Sequence, residues 1–194
     1  MKTLFNCTIL ILLLCTSCSS DDDDAKDQSS LTEKESYSIE IQGTHPTLPD
    51  INSTIEILKE QDIEGNQITL NANEGVGSHD LTIIIDFPAD KTASGKKESI
   101  GIYLYNDDET DIWNVSDTYQ LTNSPSTSKR GSLDYIIEDN GFYNDTRNFS
   151  QIHIESINNR LIGTFTNVTA KYATSNNTVI ISGSFDADMT LLNQ

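Results

Sequence analysis

The sequence predicts an all-β fold, a two-sheet antiparallel β-sandwich of about nine short strands, with a closed β-barrel as the alternative. Three observations lead there. Beyond residue 36 apolar and polar residues alternate, β-branched side chains are abundant, and no stretch keeps a helical period. Clusters of Gly, Asn, Asp and Pro separate the alternating runs. The three cysteines, Cys7, Cys15 and Cys18, all lie near the N-terminus, so the folded part has no internal disulfide and its core alone must hold it. A part of about 150 residues is large enough for that, because it buries about two-thirds of its unfolded surface.

The elements follow in chain order. Met1 to Ser17 has the parts of a secretory signal: Lys2, an apolar run from Ile9 to Leu14, and the small polar pair Thr16-Ser17 before Cys18. That run is shorter than the roughly 20 residues a spanning helix needs. Leu14-Cys15-Thr16-Ser17-Cys18 resembles the lipobox of bacterial lipoproteins, with Cys15 standing where such boxes usually hold Leu. The resemblance implies cleavage before Cys18 and acylation of its thiol, and two or three acyl chains make a stable anchor. The run Asp21, Asp22, Asp23, Asp24 follows. It resembles the signal that sends Bacteroidetes lipoproteins to the outer face of the outer membrane; the alternative is a self-repelling, solvated spacer. From Ser19 to about Ser36 only Ala25 and Leu31 are apolar, which predicts a flexible leash. The expected organisation is therefore a signal peptide over 1–17, a lipidated, acidic tether over 18–36 and a single β-domain over 37–194.

The strands expected in that domain are Tyr37–Gln42, Thr54–Leu58, Gln67–Asn71, Leu81–Phe87, Ser99–Tyr105, Leu133–Ile137, Gln151–Ile157, Arg160–Ala170 and Thr178–Met189. Turns are expected at His45-Pro46, Leu48-Pro49-Asp50, Glu64-Gly65-Asn66 and Asp139-Asn140-Gly141. For Ile51–Gln61 the alternative is one short helix opened by Asn52-Ser53-Thr54. The last two strands repeat the pattern Gly, hydroxyl, Phe, as Gly163-Thr164-Phe165 and Gly183-Ser184-Phe185. A hairpin centred at Thr174 sets Phe165 opposite Gly183 and Phe185 opposite Gly163, each ring covering a glycine, with Leu161, Ile181 and Ala187 on the same core face.

The stretch Ile152 to Phe165, followed by Thr178 to Asp186, is similar to the C-terminal signature of small surface lipoproteins of the Bacteroidetes, and Leu81–Phe87 and Ile100–Tyr105 are similar to their earlier strands. The resemblance rests on structural glycines and core residues. It implies a surface β-domain and transfers no catalytic or binding residue.

Charge narrows the functions. The formal net charge is −18, and loss of residues 1–17 would leave 11 basic against 30 acidic side chains. Such a surface repels phosphate backbones, which excludes nucleic acid as a partner, and leaves the lipid anchor as the membrane attachment. Ser78-His79-Asp80 is set aside as a catalytic triad, because adjacent side chains cannot hydrogen-bond in series and no Gly-x-Ser-x-Gly elbow is present; a turn into the next strand is expected there. His45, His79 and His153 have no zinc-ligand spacing, and His153 is expected to face solvent. The oxygen-rich loop Asp107, Asp108, Glu109 and Asp111 offers the hard ligands that calcium takes, as does the loop of Glu138, Asp139, Asn140, Asn144 and Asp145. Neither has the EF-hand spacing, and solvated surface loops are the alternative.

On Ser99–Tyr105, Ile100, Ile102 and Leu104 share one face, leaving Tyr103 and Tyr105 on the other with Trp113 shortly after. Open aromatic rings beside acidic and amide groups are suited to stacking on sugars; the alternatives are burial of both faces, or tyrosines that cover the sheet with wet hydroxyls. The chain is accordingly expected to be a surface-exposed outer-membrane lipoprotein presenting a binding or accessory module, without enzymatic activity, for a glycan or protein ligand. An envelope structural or adhesive protein and an inhibitor of extracellular enzymes are the alternatives.

Overall fold

The computed structural model describes residues 35–48, 51–57, 68–75, 78–106, 116–122, 128–138, 140–145 and 150–192, which belong to the compact unit Thr32–Gln194. Cys18, Asp21 to Asp24, Asp107, Asp108, Glu109, Asp111 and Trp113 lie outside the described residues. The alternation seen in the sequence becomes strands β1 (Ser36–Gly43), β2 (Ile51–Ile57), β3 (Ile68–Gly75), β4 (Ser78–Phe87), β5 (Glu98–Asn106), β6 (Asp117–Leu121), β7 (Lys129–Ile137), β8 (Asn140–Asn144), β9 (Gln151–Ile157), β10 (Arg160–Tyr172) and β11 (Thr178–Asp188). A single 3-10 turn, Met189–Leu191, is the one helical element among the described residues.

All eleven strands belong to one continuous sheet, in the order β2-β1-β11-β10-β9-β6-β7-β5-β4-β3. Strand β8 pairs with both β7 and β10, so β6, β7, β8, β10 and β9 close into a five-stranded barrel. The fold class is all-β, and the closed barrel is the form its centre takes. Two wings extend from the barrel, β11-β1-β2 beyond β10 and β5-β4-β3 beyond β7. The wings face each other as layers do in a sandwich: the Tyr37 and Phe87 rings are 5.4 Å apart, and the Tyr37 hydroxyl donates to the Asp86 carbonyl at 3.1 Å. The layers are thus two parts of one sheet rather than two separate sheets, and among the described residues β6 with β7 is the one parallel pair.

Period-2 alternation places the core. Ile39, Ile83, Ile85, Ile100, Ile102, Leu133, Ile152, Ile154 and Ile181 are fully buried, as are Tyr135 and Phe142 inside the barrel. Each such side chain contributes about 1.5–3 kcal/mol relative to exposure, which suffices without a disulfide. The hairpin of β10 and β11 has the expected register, Phe165 opposite Gly183 and Phe185 opposite Gly163, with both rings, Leu161, Ile181 and Ala187 in the core. Phe185 does cover Gly163: a Cβ there would lie 2.1 Å from the ring. Gly183, however, lies against Ile39 and the Ser38 carbonyl of β1 rather than under Phe165. A third strand on that side fills the space that the local pattern assigned to Phe165.

Two local expectations are corrected. Asn140 and Gly141 are strand rather than turn. Ile137 pairs with Asn140, so the reversal begins at Glu138, which takes the positive φ of 52° that a tight hairpin demands. Ser78-His79-Asp80 opens β4 and pairs with Gly75, Glu74 and Asn73 of β3. The strand expected at Thr54–Leu58 is present as the edge strand Ile51–Ile57 on β1, with Ile51, Ser53 and Ile55 turned inward, rather than the alternative helix.

Candidate functional site

The surface with the most chemistry is the outer face of β4, β5, β7 and β8. On β5, Ile100, Ile102 and Leu104 point into the core, so Tyr103 and Tyr105 stand on the other, outer face, where they are half-buried rather than open. The sheet adds a third ring: Tyr143 of β8, 49% exposed, on the same outer face. Tyr103 and Tyr143 each lean back along their own strand over a glycine two residues earlier. A Cβ on Gly101 would lie 2.9 Å from the Tyr103 hydroxyl oxygen and 3.0 Å from its ring, and one on Gly141 would lie 2.6 Å from the Tyr143 hydroxyl oxygen. The missing side chains leave room for the hydroxyl end of each ring to lie close to the sheet.

Strand β7 runs between them. Asp134 is level with Gly101 on one side and with Tyr143 on the other. The two tyrosines therefore stand two strand spacings apart and two residues out of level, about 12 Å between their Cα positions, on either side of the strand that carries the carboxyl. Burial pushes the Asp134 carboxyl up to about 6, and among the described residues it has no hydrogen-bond or ion-pair partner. The Tyr103 hydroxyl is raised too, first by burial and then by the charge of Asp134 and the neighbouring Tyr105 and Tyr143. At the other end of the stripe the Arg130 guanidinium lies 5.5 Å from the centre of the Tyr105 ring, a cation–π contact. Asp80, level with Tyr105 on β4, keeps Oδ1 buried without a hydrogen-bond partner.

A second polar place is an open cleft of about 410 Å³ on the outer face of β6, β9 and β10, lined by Thr118, Gln151, His153, Thr164 and Thr166 among others. His153 is exposed, as expected, and spans two neighbours: Thr118 Oγ1 is 3.1 Å from Nδ1 and Glu155 Oε1 is 3.2 Å from Nε2. The cleft is open, and among the described residues no buried, unpartnered polar atom belongs to its lining. His45, by contrast, is buried at the barrel end. Its Nδ1 accepts from the backbone N–H groups of Thr47 and Leu48 at 3.1 and 3.0 Å, and its ring packs on Phe142 and Tyr172. Burial, and then the charge of Lys96, hold its pKa below the ordinary range.

No group of three or more His, Cys, Asp or Glu side chains is placed to hold a metal among the described residues. In the second acidic loop, Glu138 is paired with Lys96 at 2.8 Å and the Asn144 side-chain oxygen accepts from the Leu133 N–H at 3.1 Å. Tyr143 and Asp134 were missed in the sequence. The available signal was Gly141-Phe142-Tyr143, which repeats the Gly, apolar, Tyr order of Gly101-Ile102-Tyr103.

No family model, curated protein or solved structure matches the chain.

Proposed function

We propose that this chain is a lipoprotein of a bacterial outer membrane, anchored through Cys18, directed outward by Asp21 to Asp24, and acting as a glycan-binding or accessory module at the cell surface. The lipobox-like Leu14 to Cys18 and the acidic run behind it support the address. The observation that carries the binding role is the pair of tyrosine rings, Tyr103 and Tyr143, laid over glycines on either side of Asp134. Aromatic faces turned to solvent beside a hydrogen-bonding carboxyl match a sugar ring, which presents an apolar C–H face with hydroxyls at its rim.

The test is a glycan array probed with the detergent-solubilised, lipidated protein, with and without calcium, alongside Tyr103→Ala, Tyr143→Ala and Trp113→Ala. Binding by the parent that each tyrosine variant weakens by about tenfold or more, at unchanged melting temperature, supports the reading; stacking on an aromatic ring contributes on that order. Binding that persists in both tyrosine variants removes the platform. The adhesive alternative has its own support in β2 and β3, which end the sheet with one strand neighbour each.

A further inference from the structure

We propose that the tyrosine face selects glycans carrying free amino groups, with the ligand's ammonium seated on Asp134 between the rings of Tyr103 and Tyr143. The inference rests on the glycan-binding reading and specifies its ligand class. Three observations lead to a cation. The first is geometric: Asp134 stands on the strand between two tyrosines of the outer face, whose rings lie against Gly101 and Gly141. A carboxylate flanked by aromatic faces is complementary to an ammonium group, because the electron-rich ring faces and the anion attract the same charge.

The second is the missing counter-charge. Asp134 is partly buried and unpaired among the described residues, and Asp80 at the far end of the stripe leaves Oδ1 buried and unpartnered. Among the described residues, the cations facing this surface do not answer Asp134. Arg130 stands four residues away on β7, about 13 Å along the strand, and is spent on Tyr105. Lys171 lies level with Tyr143 on the opposite side, beyond that ring from Asp134. A buried carboxyl kept without a partner costs stability unless something else supplies the charge. A ligand ammonium does so and regains the desolvation penalty that holds the Asp134 proton on to about pH 6.

The third is a demonstration within the protein: the Tyr105 ring of the same stripe already carries a cation, Arg130. The long-range field points the same way. At a net charge of −18 the protein repels anionic glycans and concentrates cationic ones.

The experiment compares three oligosaccharide series of one length and linkage: trimethylated amino sugar, which is cationic at every pH, N-acetylated amino sugar, and the plain hydroxyl sugar. The lipidated protein in detergent is titrated with each at pH 7.5 and low salt. The cationic series is expected to bind about tenfold more tightly than the other two, with the preference shrinking in high salt. Asp134→Asn should bring the cationic-to-neutral ratio close to one. Equal affinity for all three series in the parent protein overturns the ammonium inference and leaves the platform standing. A preference that survives Asp134→Asn also overturns it. Failure of all three series to bind removes the platform and the inference together.

Discussion

The contact between Phe185 and Gly163 can be tested as a coupled pair. An added methyl at residue 163 would sit 2.1 Å from Phe185 Cε1 and 2.3 Å from Cζ. Ordinary carbon contacts are about 3.5–4.0 Å, so the ring must retreat by about 1.5 Å. It has nowhere to go, because Phe185 is 2% exposed and packs in the same core as Leu161 and Phe165. Gly163→Ala should therefore destabilise by about 1–3 kcal/mol as an overpacking change. Phe185→Ala should cost about 3–5 kcal/mol as a buried aromatic removed. In the double variant the methyl occupies part of the cavity the ring vacated, so the total should fall about 1–3 kcal/mol short of the sum. Phe165→Ala, also a buried ring, should cost about 3–5 kcal/mol but show no such coupling with Gly183→Ala, whose methyl would meet Ile39 and the Ser38 carbonyl. Urea unfolding of the four single variants and the two doubles measures every term. Additive costs for Gly163→Ala and Phe185→Ala, or a cost below about 0.5 kcal/mol for the first, would refute the placement of the ring.

His45 gives the fold an acid-sensitive latch: below the ordinary value of 6.5 the unfolded chain takes up a proton that the buried ring resists, so stability should decline as pH falls from 6.5 toward the lowered folded value and level off beneath it. His45→Asn, which keeps an acceptor for the Thr47 and Leu48 N–H groups, should flatten that part of the profile in urea unfolding at stepped pH; an unchanged slope would assign it to another group. Asp134 works in the opposite sense, since the folded state holds its proton between 3.8 and about 6 and loses stability as pH rises through that window. The shift corresponds to at most about 3 kcal/mol, reduced by solvent at a partly exposed group to about 1 kcal/mol, so Asp134→Asn should stabilise by about 1 kcal/mol at pH 7.5 and progressively less toward pH 4. A destabilised Asn variant would mean that the carboxylate has a partner. Cys18→Ala should move the protein from the membrane fraction to the soluble one, and retention in the membrane would argue against a lipid anchor.

The core of this fold was legible in the sequence because period-2 alternation assigns each strand residue to a face, which is why Ile100, Ile102 and Leu104 were read as interior. Closure was not legible. It depends on β6 and β8, each five residues long, and in β8 the Asn140-Gly141 opening imitates a turn. It depends also on a bulge between Phe165 and Val168, where Asn167 adopts a φ of 54° and its N–H donates to the Ser182 hydroxyl at 2.9 Å. The extra residue shifts the later register by one, so pairing by a fixed turn centre holds for Phe165 and fails for Ala170, which meets Val179. The same limit explains Gly183: its cover, Ile39, is 144 residues away in sequence, and no local pattern names it.

One spacing, Gly-x-aromatic, builds both the core contact and the candidate site, and the middle residue decides which. In Gly163-Thr164-Phe165 and Gly183-Ser184-Phe185 the hydroxyl residues face outward, so the phenylalanines face in and are buried. In Gly101-Ile102-Tyr103 and Gly141-Phe142-Tyr143 the middle residues, Ile102 and Phe142, are fully buried, so the tyrosines face out. The glycine has the same effect in three of the four cases: it leaves a bare patch of backbone on its own face that a ring can lie against, along the strand for Tyr103 and Tyr143 and across it for Phe185. Inside, the ring fills space and stabilises the hairpin. Outside, it becomes a flat surface held by the sheet rather than by its own rotamer freedom, so a ligand that stacks there has little side-chain entropy left to remove. In the proposed reading, rings that would serve packing if turned inward serve recognition when turned outward, with Asp134, which has no partner among the described residues, as the polar group between them.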